Sequence, residues 1–307
     1  MAQKNSNTES KEQIYRKVTV QIMQSMISSG TLPWRQTWFS RDGKPLFYNP
    51  VTKTRYKLLN RLLLGKPGQY VTFKQAVDHG GHVRKGAKGH LVTYWSEFVP
   101  AADKALKEEL EARGEDWSHL KKYTLKYYYV YDINDIDDLK LKQPEEAPAM
   151  EEALSPVDYA DLVLSGYRNE EGVGLDEKAG NTPSYLTDTD TVTMPRKDQF
   201  AYEEDYYASL FSQMVHSTAR EDRCNRKAEY QAMLDGGTTT KEDLVADIAS
   251  SMILSVTGIN RKETADQLKA QVQRYIEAME NDCRLIVSAS TKAQSAADMI
   301  LGKYAID

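Results

Sequence analysis

The sequence predicts an α+β protein of two domains: an N-terminal small sheet with flanking helices, then a mostly helical domain with a short sheet. Three observations predict it. A length of 307 residues exceeds the roughly 100–200 typical of one domain. The stretch LKQPEEAPAMEEALSP is proline- and glutamate-rich, a composition that stays extended and polar. Charge is also divided between the halves: residues 1–143 hold 24 basic and 15 acidic side chains, while the remainder holds 16 and 30. The expected organisation is therefore 1–143, an acidic linker 144–155, and 156–307.

The elements follow in order. After a polar start expected to lack structure, Ile14, Val18, Ile22, Met23 and Met26 recur at helical spacing, which predicts an amphipathic helix over Lys11 to Ser29 that Pro33 stops. Trp34 and Trp38 fall on a loop. From Tyr56 to Leu64, good helix formers carry a stripe of Leu58, Leu59, Leu62 and Leu63. YVTFKQAVDHGG reads as an extended entry into a helix ended by Gly80 and Gly81. HVRKGAKGHLVTYWSEFVP reads as a strand, a glycine turn and a second strand. A charged helix over 101–117 would be an insertion before YTLKYYYVYDI, which has strand composition. Beyond the linker the pattern predicts a helix over Pro156 to Tyr167 and strands at 172–177, 184–186 and 191–194. Helices are then expected near 203–218, 240–257, 262–279 and after Ser290.

Composition restricts function. No stretch approaches the roughly 20 apolar residues that span a bilayer. The two cysteines, Cys224 and Cys283, form neither a disulfide framework nor a zinc-binding CxxC pair. A cytoplasmic protein without a membrane partner is expected. The informative segment is residues 41–90, where eleven Lys and Arg face two acids, interleaved with aromatics and glycines. Cations along a groove neutralise phosphates, and rings stack bases whatever their sequence. On this reading Arg55, Lys57, Arg61, Lys74, Arg84, Lys85 and Lys88 hold phosphates, some of Trp34, Tyr56 and Tyr94 stack bases, and Asn60 bonds a base edge or sugar. Phe73 and Trp95 are expected in the core, and the Tyr127–Tyr129 run in the core or on the sheet surface. The helix bearing Arg61 offers mostly leucine to a groove, so single strands suit this region better than duplex.

LPWRQTW, TRYKLLNRLLL and YVTFKQAVDHGGHVRKGAKGHLVTYW together resemble the N-terminal domain of plasmid antirestriction proteins of the ArdC type. The resemblance covers roughly residues 8–135 and implies a single-stranded DNA-binding domain; Lys57 stands where the family pattern often has glycine. It also implies a mobile-element or phage origin and a role against host nucleases.

The second half, from TVTMPRKDQFAYEEDYYASLFSQMVHSTA to KEDLVADIASSMIL, is similar to the zincin-like metallopeptidase domain of such proteins. An HExxH helix there supplies two zinc-binding histidines and a glutamate base, and a later helix brings an acidic ligand. The resemblance puts Ser212 at the first histidine, Gln213 at the glutamate and His216 at the second histidine. Asp243, or its neighbour Glu242, falls at the acidic ligand. Gln213 cannot accept a proton, so the expectation is a peptidase domain without catalysis and without a cofactor, zinc being the only candidate. A rival reading is a metal-dependent hydrolase using His216, Asp243 or Glu242, and Asp247. Another is an acidic protein-interaction module that grips a host nuclease or restriction component.

Overall fold

The computed structural model describes residues 9–35, 47–141, 154–236 and 241–304. The polar start, Trp38 and most of the acidic linker lie outside them.

Helix α1 (Lys11–Ser29) opens the chain with the predicted bounds. Ser10 accepts from the Gln13 amide while the Gln13 side chain returns to Ser10, and Gly30 closes the last turn in the left-handed region. Two short strands, β1 (Tyr48–Asn49) and β2 (Thr54–Arg55), pair antiparallel and lead into α2 (Leu58–Leu64). Then come β3 (Tyr70–Thr72) and α3 (Phe73–Asp78), the helix started by a Thr72–Gln75 capping box. β4 (His82–Val83) and β5 (His90–Phe98) follow, then α4 (Lys104–Ala112), β6 (Lys122–Asp132) and β7 (Ile136–Asp137).

The N-terminal sheet has the order β3-β6-β5, with β5 and β6 antiparallel over nine paired residues from His90↔Val130 to Phe98↔Lys122. The expected hairpin of β4 with β5 does not form: β4 pairs with β7. Gly81 explains part of this. A Cβ there would stand 2.8 Å from an Ile136 methyl and 2.9 Å from a Leu139 methyl, so glycine lets the chain leaving α3 lie close against β7 as it enters β4.

The second half begins with α5 (Pro156–Glu171), capped by Ser155 with proline in the first turn. A small sheet, ordered β8-β10-β9, contains β8 (Gly174–Glu177), β9 (Ser184–Leu186) and β10 (Thr191–Met194). Five helices follow among the described residues: α6 (Glu203–Ser217), α7 (Lys227–Leu234), α8 (Lys241–Thr257), α9 (Ala265–Asn281) and α10 (Leu285–Leu301). The sequence reading lacked α7 and started α10 too late.

One continuous core runs from Ile14, Val18 and Ile22 on α1 to Leu244 and Ile248 on α8 and Ile286 on α10. Helix α1 and the turn after it (Pro33–Arg35) are also fastened to the second half by polar contacts. Thr19 donates to the Cys283 carbonyl, Trp34 donates through Nε1 to Asp247 Oδ2 at 2.9 Å, and Arg35 bonds Asp247 Oδ1 at 2.6 Å and Glu263. No helix of the described residues is long and apolar enough to cross a membrane.

Candidate nucleic-acid interface and the metallopeptidase-like centre

Helix α6 places Ser212, Gln213 and His216 on adjacent turns, as positions three and four apart must be. Ser212 and Gln213 are half-buried and His216 is buried. The chain leaves α6 through a tight turn in which Asn225 takes a left-handed backbone (φ 47°), and the Arg226 amide bonds the Ala219 carbonyl. This folds Arg226 back beneath the end of α6. There its guanidinium donates to the Val215 carbonyl at 3.0 Å and to Thr218 Oγ1 at 3.1 Å, a favourable place for a cation at a helix C-terminus.

The remaining donors of Arg226 meet Glu242, in the first turn of α8. Nε reaches Oε2 at 2.9 Å and Nη2 reaches Oε1 at 3.0 Å, a two-pronged pair. His216 Nδ1 lies 3.2 Å from the same Oε1. Arg226 is 1% exposed and Glu242 0%, so the pair is sealed from water. Burial alone would push the Glu242 carboxyl up, but hydrogen bonds from His216 and Arg226 and the guanidinium charge hold it below the usual carboxylate range. Tyr230 of α7 packs its ring 5.2 Å from the imidazole, and burial pushes its hydroxyl up to about 12.

The acidic residue that converges on His216 is therefore Glu242. Asp243, the position first expected from the resemblance, lies about 100° further round α8 and is half-buried. Asp247 is no partner for His216 either, because its carboxylate is held by Trp34, Arg35 and Arg261.

These residues do not fit a zinc ion. Ser212 and Gln213 supply neither imidazole nor carboxylate, both oxygens of Glu242 are committed to a guanidinium, and His216 turns its Nδ1 toward Glu242. Among the described residues no three His, Cys, Asp or Glu side chains are grouped to hold a metal. A fixed positive charge stands against the carboxylate where a metal-binding centre would use a cation.

The residues expected to bind DNA separate into two groups. Trp34 is fully buried against Tyr275, so its ring faces are closed to a base. Tyr56 is buried with its hydroxyl donating to the Tyr70 carbonyl, and Arg61 is buried with Nε donating to the Tyr56 carbonyl at 2.6 Å. Asn60 bonds the Thr93 amide at 2.7 Å and the Thr93 carbonyl at 2.9 Å, which covers the free edge of β5. These four hold the fold together.

Lys74 is exposed and paired with Asp78 one turn on, and Arg84 lies near Asp135 and Asp137. Arg55, Lys57, Lys85 and Lys88 make no ion pair among the described residues, and Tyr94 is 45% exposed. Phe73 and Trp95, expected in the core, are exposed, as are Phe98, Tyr123, Tyr128 and Tyr129. The tyrosine run lies on the sheet, one of the two expected places: alternation in β6 puts its rings on both faces of a sheet that is only partly covered.

Residues 12–131 match the family model described as the N-terminal domain of anti-restriction factor ArdC, and residues 167–292 match a zincin-like metallopeptidase model. The chain is of the ArdC type. It is similar to two crystal structures of the antirestriction protein ArdC from plasmid R388, at 26% identity over 93% of this chain and 96% of that one. The TM-score is 0.63 for the metal-free form and 0.65 for the Mn(II)-bound form. A DNA primase TraC of Escherichia coli is 28% identical over 97% of this ArdC-type chain, which spans 20% of the primase.

Proposed function

We propose that this ArdC-type protein binds single-stranded DNA through its N-terminal sheet domain and serves antirestriction in a mobile element, with a metallopeptidase-like domain that does not hydrolyse. The observation that carries the second clause is the sealed Arg226–Glu242–His216 cluster: the fold survives while the carboxylate is occupied by an internal cation. Support for the first is the concentration of basic residues in 41–90, several of them exposed without an ion pair among the described residues. Its relatives, an anti-restriction factor and a DNA primase, support the same reading.

Binding would act by occlusion: cations neutralise phosphates, exposed rings take bases, and the covered strand is denied to a nuclease. The domain division at 144–155 belongs to the same reading. Gel shifts of the full chain with matched single- and double-stranded oligonucleotides test the first clause. A single-strand preference that falls with added salt is expected, and equal or no binding overturns it. Elemental analysis tests the second: zinc or manganese bound in stoichiometric amount and lost in His216→Ala would refute it.

A further inference from the structure

Pairing of β5 with β6 is continuous, so directly opposed residues share a face and alternate residues share it along each strand. One face carries Tyr94, Ser96 and Phe98 from β5, opposite Lys126, Thr124 and Lys122 from β6, with Tyr128 beside Tyr94. The two tyrosine rings stand 5.7 Å apart, tilted by 60°, and each keeps more than a third of its surface in water. No carboxylate falls on this face between Val92 and Phe98 or on the opposed residues Lys122 to Tyr128. Lys122 and Lys126 make no ion pair among the described residues.

The opposite face differs. It carries Trp95 and Tyr123 with Glu97, and α1 approaches it, Lys17 lying over the Tyr127 ring. Trp95 lines a cleft of about 720 Å³ whose cations share the wall with Glu12, Glu280 and Asp282. Arg16 and Arg284 there pair with Glu12, and Lys292 pairs with Glu229, which leaves less positive charge free for a phosphate. Around Tyr94 and Tyr128 the face has rings and cations without acids, whereas Phe98 at its end lines a cleft with Glu97 and Glu108.

We propose that the Tyr94–Tyr128 face is the single-strand platform: bases stack on Tyr94 and Tyr128, and Lys126 and Lys122 hold the backbone. This rests on the single-strand reading above and moves the binding site away from Trp34 and Tyr56. Every base has a π-face, so the platform takes a strand with little regard to sequence.

The test is fluorescence anisotropy of the full chain with a labelled oligothymidylate. Tyr94→Ala and Tyr128→Ala are each expected to weaken binding about 5- to 150-fold, the loss of one stacked base. Tyr94→Phe and Tyr128→Phe keep the ring and should stay near the parent. Lys122→Ala with Lys126→Ala should lower the slope of log affinity against log salt by about one per cation. Parent-like affinity in both tyrosine-to-alanine variants, folded by circular dichroism, overturns the platform and leaves strand binding itself standing. A parent protein that binds no oligonucleotide overturns both.

Discussion

Replacing Arg226 with methionine keeps much of its volume and removes the one guanidinium that reaches Glu242 among the described residues. The carboxylate is then fully buried with His216 Nδ1, 3.2 Å away, as its remaining polar neighbour in the cluster. Breaking a buried ion pair by removing one member costs about 3–5 kcal/mol, because the other charge is stranded. Against a typical total of about 5–15 kcal/mol this is a large fraction. Two hydrogen bonds to Val215 O and Thr218 Oγ1 are lost as well, which places the effect toward the upper end. The assay is urea unfolding at pH 7 followed by circular dichroism, with Arg226→Met, Glu242→Gln and the double variant in one cycle. The double variant should recover a good part of the loss, since no charge remains unpaired.

The pH dependence has a definite sign. In the parent, Glu242 is held below its ordinary value of 4.5, so its contribution is complete above that value and is lost as pH falls through the depressed one. In Arg226→Met, burial without the guanidinium raises the same carboxyl. The gap between parent and variant should therefore begin to narrow above pH 4.5, as pH falls through the variant's raised value, and keep narrowing down to the parent's depressed one. An Arg226→Met protein within about 0.5 kcal/mol of the parent at pH 7 would refute the assignment of Arg226 as the resident counter-charge.

Three other outcomes are expected. Asn60→Ala removes both bonds to the Thr93 backbone and uncovers the β5 edge, costing about 1–3 kcal/mol by chemical denaturation with little change in mean helix content. Gly81→Ala forces a methyl against Ile136 and Leu139 and should destabilise by about 1–3 kcal/mol, visible as a lower unfolding midpoint. Trp34→Phe keeps an aromatic ring but deprives Asp247 of a donor; a loss of about 1–3 kcal/mol is expected, and Trp34→Phe combined with Asp247→Asn should fall short of the sum of the single effects if the two act together.

Most elements were legible in the sequence because their signals are local. The Ser10–Gln13 and Thr72–Gln75 boxes, Pro156 in the first turn of α5, and the terminal Gly30 all act within four residues. Side-chain roles were less legible where they depend on distant partners. Trp34 on a loop among cations looked like a stacking ring, but its partner Asp247 is 213 residues away. Arg61 and Asn60 sit on a short helix whose outward face could be guessed, yet both turn inward to backbone groups. The metallopeptidase-like centre was half legible. The resemblance to an HExxH helix located His216, but nothing near Glu242 in the chain announces that Arg226, sixteen residues earlier, would seize it. The exposed rings of β5 and β6 were hidden by composition, since aromatic strand residues are more often covered than bare.

The fastening of α1 and Arg35 onto α8, α9 and α10 reaches beyond stability. A fragment beginning in the proline-rich stretch would lack Ile14, Val18, Trp34 and Arg35, leaving a greasy furrow on its helices and Asp247 stripped of two of its donors. Separately produced halves should thus behave less like free modules than like complementary pieces, each soluble chiefly in the other's company.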